Sequence, residues 1–154
     1  AQMPWGWVSD HPYFYGYRCR QDLKYIYRTT GHYKAVFYNP STVPEVYPDL
    51  YLPGGGAFTF SLGYNQPDYR TPMIPRGAEL KISFDPRKRT CVQKNADGSY
   101  TNLWHTMLGR RPRLSFEPET KNTFPLIWSE SAGDGKGLDF DPYIVFTPEF
   151  TSWI

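Results

Sequence analysis

Cysteine is scarce in this chain, with only Cys19 and Cys91 among 154 residues. Two cysteines cannot build a disulfide framework, and no C-x-x-C spacing offers a zinc or redox motif. Whether the two pair with one another stays open at this point. Long apolar runs are missing as well: nothing approaches the ~18 consecutive apolar residues that a membrane-spanning helix needs. Net charge is only +2 at pH 7, too close to neutral to imply a nucleic-acid or membrane partner from totals alone. The one Asn-x-Ser match, Asn39-Pro40-Ser41, carries the proline that forbids N-glycosylation. Ala1-Gln2-Met3-Pro4-Trp5 does not read as a signal peptide. The expected compartment therefore leans to intracellular or within a particle, and to secreted if a signal peptide has been removed.

Two further scarcities bear on the fold. Leu, Ile, Val and Phe together number only 32, so they cannot alone furnish a large core. The 13 glycines and 15 prolines are spread along the whole length and leave few windows for a helix of average length. What fills the gap is aromatic: 13 Tyr, 10 Phe and 5 Trp, whose rings supply the buried area that small apolar residues do not. The length suits one domain over residues 1–154.

The clearest pattern runs from Glu79 to Pro118. Leu80, Ile82 and Phe84 alternate with Lys81 and Ser83, the period of a half-buried strand. Asn95-Ala96-Asp97-Gly98-Ser99 carries an Asp-Gly pair that predicts a hairpin turn between strands at 90–94 and 100–104. Upstream, within residues 17–38, alternation from Leu23 to Thr30 and a second strand at Tyr33–Tyr38 predict a Tyr-rich hairpin turning at Gly31-His32, with a helix over 18–28 as the competing reading. Residues 39–56 hold four prolines and Gly54-Gly55-Gly56, and read as a long pinned loop ending in a bend or a close backbone approach. Strands are expected at Phe58–Leu62, at Phe124–Trp128 and at Tyr143–Phe146, with a flexible loop from Ser131 to Gly137. Four Phe-x-Pro triplets, beginning at Phe84, Phe116, Phe140 and Phe146, read as strand stops: Phe fills the core and Pro ends pairing. Short strands with frequent turns predict an all-β protein, an antiparallel β-sandwich or barrel with long Pro/Gly-rich loops, jelly-roll-like being one candidate. Residues 1–16 read as an irregular aromatic arm and 147–154 as an aromatic tail, too apolar to hang in water.

Motifs for chemistry are thin. Ser129-Glu130-Ser131-Ala132-Gly133 resembles the nucleophile elbow of carboxylesterases, which would make Ser131 the nucleophile. The first glycine is replaced by Ser129, no histidine follows Ser131, and the chain lacks the alternating helices of that fold. Asp139-Phe140-Asp141-Pro142-Tyr143-Ile144-Val145 resembles the Asp-Pro-Tyr-Val loop of C2 domains. In C2 domains several strands follow that loop, whereas only 11 residues follow Tyr143. Glu130, Asp134, Asp139 and Asp141 crowd together, so Asp134, Asp139 and Asp141 are a weaker alternative for a calcium site, without EF-hand spacing. His11, His32 and His105 share no ligand spacing. No catalytic residue, metal or cofactor is assigned.

Two basic clusters flank the predicted hairpin. Arg87, Lys88 and Arg89 precede it, and Arg110, Arg111 and Arg113 follow it. The antiparallel pairing would bring all six to one rim, a candidate anion site for nucleic acid or another polyanion. The reading this supports is a non-catalytic structural or assembly protein. It would pack against protein subunits, its own kind or a larger complex, through Trp5, Trp7, Tyr13, Phe14, Tyr15, Phe150 and Trp153. The alternative is a carbohydrate-binding module that stacks sugars on exposed Trp and Tyr; an enzyme is the third reading.

Overall fold

The structure, a computed structural model of the chain, describes residues 7–9, 17–25, 31–42, 47–60, 69–85, 87, 90–104 and 119–148. In chain order the strands are β1 (Trp7–Ser9), β2 (Tyr17–Asp22), β3 (Lys24–Tyr25), β4 (Gly31–Asn39), β5 (Asp49–Pro53) and β6 (Gly56–Phe60). They continue as β7 (Tyr69–Arg70), β8 (Glu79–Ser83), β9 (Thr90–Lys94), β10 (Tyr100–Asn102), β11 (Thr120–Ser131) and β12 (Tyr143–Phe146). The protein is all-β, and the strands form two antiparallel sheets. The larger has seven strands in the order β1-β2-β12-β5-β8-β9-β10, and the smaller has five in the order β3-β4-β11-β6-β7. Set aside β1, β3 and the β9–β10 hairpin, and each sheet keeps four strands: β2-β12-β5-β8 in one, β4-β11-β6-β7 in the other. That alternation of the chain between two four-stranded sheets is the double Greek-key order of a jelly roll.

Alternation builds the core. Leu50 and Leu52 of β5, Leu80 and Ile82 of β8 and Ile144 and Phe146 of β12 face inward from the large sheet. They meet Phe58 and Phe60 of β6 and Leu126 and Trp128 of β11. Each such burial contributes on the order of 1.5–3 kcal/mol, which is how rings compensate for few aliphatic residues. Phe60 stacks on Tyr69 at 5.5 Å and meets Phe84 edge-on at 6.2 Å. Phe84 and Phe146, the strand-end members of two Phe-x-Pro triplets, are both in the core.

Several sequence expectations change in detail. Gly31 and His32 lie inside β4 rather than in a turn, and β3 meets β4 through Lys24↔Lys34 and Tyr25↔Tyr33. Residues 17–25 are extended, not helical, and the chain changes sheets at Leu23, which is fully buried and donates its N–H to the Pro142 carbonyl at 2.8 Å; residues 26–30 lie outside the described residues. Just before that switch, the Gln21 side chain stands in for a strand. Its Nε2 donates to the Tyr38 carbonyl at 2.7 Å and its Oε1 accepts from the Tyr38 N–H at 3.0 Å. Residues 39–56 are not one long loop, because Leu50 and Leu52 alternate with Asp49 and Tyr51 and form β5 against β8. The strand expected at Phe124–Trp128 starts earlier, at Thr120, which puts Pro125 inside it; the described pairing to β6 begins one residue later, at Leu126, so the missing N–H falls at the end of that ladder. The amino-terminal arm is not wholly irregular either: Trp7–Ser9 adds to the edge of its own sheet by pairing with β2. Its remaining residues and the tail beyond Pro148 lie outside the described residues.

The sheet order also decides the cysteine question. Cys19 on β2 and Cys91 on β9 have β12, β5 and β8 between them. Four strand spacings of about 4.8 Å place them roughly 19 Å apart, far beyond disulfide reach. Cys91 is a buried thiol, and burial pushes its pKa up to about 12.

Candidate functional site

Connections that cross between the sheets meet at one end of the sandwich, and Arg76 sits at their junction. Arg76 lies between β7 and β8. Its Nε and Nη2 fork onto both oxygens of Asp134, at 2.9 and 2.7 Å. Its Nη1 reaches Asp139 Oδ1 at 3.1 Å and the Gly137 carbonyl, and its Nη2 also reaches the Lys136 carbonyl at 3.1 Å. The other Asp139 oxygen accepts from the Gly77 N–H at 2.8 Å. A planar guanidinium with donors on every edge is the one side chain that can satisfy such a set at once. The forked bond from Arg76, and then the Lys136 N–H, hold the Asp134 carboxyl down to about 2, and the two aspartates in turn raise Arg76.

The β5–β6 bend is built into the same corner. The Gly54 carbonyl accepts from the Asp139 N–H at 3.1 Å and the Gly55 carbonyl from the Ala132 N–H at 3.0 Å. A Cβ on Gly54 would overlap the Pro75 carbonyl, and one on Gly56 would overlap the indole of Trp128. The glycine triplet is therefore the close approach its composition suggests. Two of the acids weighed for calcium, Asp134 and Asp139, are bound to an internal cation here. Among the described residues no three His, Cys, Asp or Glu side chains converge as a metal site.

A second cluster lies on the outer face of the large sheet. Tyr51 of β5 and Tyr143 of β12 are directly paired and stack at 4.7 Å with planes only 8° apart. Arg20 of β2 lies over the Tyr143 ring at 3.7 Å and Lys81 of β8 over the Tyr51 ring at 5.8 Å. Tyr143 donates its hydroxyl to Glu79 at 2.9 Å; burial, then this bond, drives its pKa up. Lys81 and Arg20 also meet Asp49 at 3.8 Å and Asp22 at 3.0 Å. Cation–π contact and stacking hold this face in order, and the cations cover rings that would otherwise be open.

Of the six basic-rim residues, only Arg87 is described. It is exposed and turns back on Asp85, with its Nε 3.3 Å from the carboxylate. Lys88, Arg89, Arg110, Arg111 and Arg113 lie outside the described residues, as do Trp5, Tyr13, Phe14, Tyr15, Phe150 and Trp153. Trp7 is placed by its backbone on β1. The would-be elbow serine, Ser131, is the last residue of β11 and pairs with Gly56. It leads into a loop, not into the helix that a nucleophile elbow requires. Ser129 marks a bulge in that strand and donates its hydroxyl to the Ala57 carbonyl at 3.1 Å. Sequence reasoning missed Arg76, Tyr51, Tyr143 and Arg20. The two tyrosines carried a local signal in their alternation with buried neighbours; Arg76 carried none. No family model, no curated protein and no solved structure matches this chain. Among the described residues no helix is long and apolar enough to cross a membrane.

Proposed function

We propose that this chain is a non-catalytic structural subunit, a β-sandwich that packs into a larger complex or shell, with protein subunits as its partners. The observation that supports it most is the strand order, β2-β12-β5-β8 over β4-β11-β6-β7. Jelly rolls of this order serve as shell subunits and as sugar-binding domains. The support is architectural analogy, so the surface has to separate the two. A sugar-binding face needs open rings in a row. Tyr51 and Tyr143 are paired side by side but half-buried, with Lys81 and Arg20 lying across them, and the exposed Tyr100 sits on β10 at the edge of the large sheet. That favours the packing role over the carbohydrate-binding one. The basic rim, Arg87 with Lys88, Arg89, Arg110, Arg111 and Arg113, belongs to the same reading as the surface a shell would turn to a polyanion.

The test is the native mass of the purified chain together with its ultraviolet spectrum. An assembly many times the 17.9 kDa of one chain is expected, with excess nucleic-acid absorbance if the rim faces enclosed polyanion. A monomer at every concentration, and in the presence of polyanions, overturns the proposal. Binding to a glycan panel by that monomer would put the carbohydrate-binding reading in its place.

A further inference from the structure

We propose that Arg76 is a latch that holds residues 132–141 shut as a strap across the β5–β6 bend and shields the Lys136-Gly137 peptide bond. The strap has the make-up of a cleavable loop tip. Residues 131–137 are all exposed, and they include Lys136 and three glycines. Such a segment is ordinarily where a chain is nicked first. Packing does not hold its tip: a Cβ added at Gly133, Gly135 or Gly137 would meet nothing within 4 Å. The strap is anchored at its two ends, by Ala132 and Asp139 to the Gly55 and Gly54 carbonyls and by Leu138 against the core. Between those anchors, among the described residues, the bonds that tie it to the body are those of one side chain. Arg76 takes the Asp134 carboxylate in a fork and also holds the carbonyls of Lys136 and Gly137.

The Lys136 carbonyl is the group a serine protease must attack to cut after Lys136, and here it accepts a hydrogen bond from the latch. A protease also needs the chain extended in its cleft, which the strap cannot offer while Arg76 grips both flanks of the bond. The Asp134 carboxyl stays ionised down to about pH 2, so the latch stays closed across ordinary pH.

Limited trypsin digestion followed by mass spectrometry reads this directly, with the cut after Lys136 scored against cuts elsewhere in the same sample. The native chain is expected to resist cleavage at Lys136 despite its exposure. Arg76→Ala is expected to raise that cut at least tenfold while the other sites keep their rates. Arg76→Lys, which keeps the charge and loses the fork, should fall between. Equal cleavage at Lys136 in the native chain and Arg76→Ala overturns the latch. Should Arg76→Ala lose the whole fold, the same comparison is made on Asp134→Asn. A selective rise at Lys136 with an unchanged thermal midpoint upholds the proposal, and no rise overturns it.

Discussion

The hairpin turn at Asn95–Ser99 is held by side-chain bonds between residues two to six positions apart, whereas the side-chain bonds of Arg76 at its corner span 58 to 63. Both regions bend the chain with glycine and both fix an aspartate by hydrogen bonds. In the hairpin, Asp97 Oδ1 accepts from the Ser99 N–H at 2.8 Å and the Ser99 hydroxyl at 2.6 Å. Asn95 reaches Ser99 Oγ at 3.0 Å and Thr101 Oγ1 at 2.9 Å. Everything the turn needs is supplied within it. At the corner nothing forms until β5, β6, β8, β11 and β12 are in place, because Arg76, Gly54 and Asp139 come from different connections. A local network can help to nucleate a fold, while a remote one can only lock a fold that already exists.

Glycine substitution separates the two most sharply. Gly56→Ala at the corner would set a Cβ 2.7 Å from Cδ1 of Trp128, which is almost fully buried and has no room to retreat. We expect a loss of about 3 kcal/mol, the upper part of the overpacking range, read as a lower denaturant midpoint at constant slope. Gly98→Ala in the hairpin meets open space, and its only difficulty is a φ of +89°. That left-handed backbone should cost about 1 kcal/mol. Equal losses at the two positions would mean that the corner relaxes around a new side chain as freely as an exposed turn does.

The same contrast explains which parts of the fold were legible in the amino-acid sequence. Alternation at Leu80-Lys81-Ile82 and the Asp97-Gly98 pair were enough to place β8, β9, β10 and their turn, since strand period and turn chemistry act between near neighbours. Register across the sandwich was not legible. Tyr143 reads as part of a strand and Tyr51 as part of a loop, and their stacking depends on β12 lying beside β5, 92 positions on. The switch of sheets at Leu23 depends on the Pro142 carbonyl arriving beside it. β5 was hidden in a proline-rich stretch because four prolines outweighed the short alternation of Leu50 and Leu52. Asp134 and Asp139 looked like metal ligands because their spacing was visible and the arginine that binds them was not.

The smallest effect expected is a matched pair of carboxyl titrations, and it sharpens the comparison most cleanly. Asp134 is lowered to about 2 by Arg76, from across the fold, and Asp97 is lowered by the hydroxyl and then the N–H of Ser99, from within its own turn. In both, the folded value lies below the unfolded value of 3.8. The charged form is therefore the one folding favours. Its contribution to stability is complete above 3.8 and is lost as the pH falls, through about 2 for Asp134. Carbon-detected NMR of the carboxyl groups should show Arg76→Ala returning Asp134 towards the ordinary carboxylate range while Asp97 stays put, and Ser99→Ala doing the reverse. A shift of Asp97 in Arg76→Ala would show that the two networks are coupled through the large sheet, since Ala96 of the hairpin already approaches Gly77, the residue after Arg76, closely enough that a Cβ on Gly77 would lie 3.0 Å from it. Independence of the two titrations would instead fix the hairpin as a turn that sets itself and the corner as one that the finished fold sets.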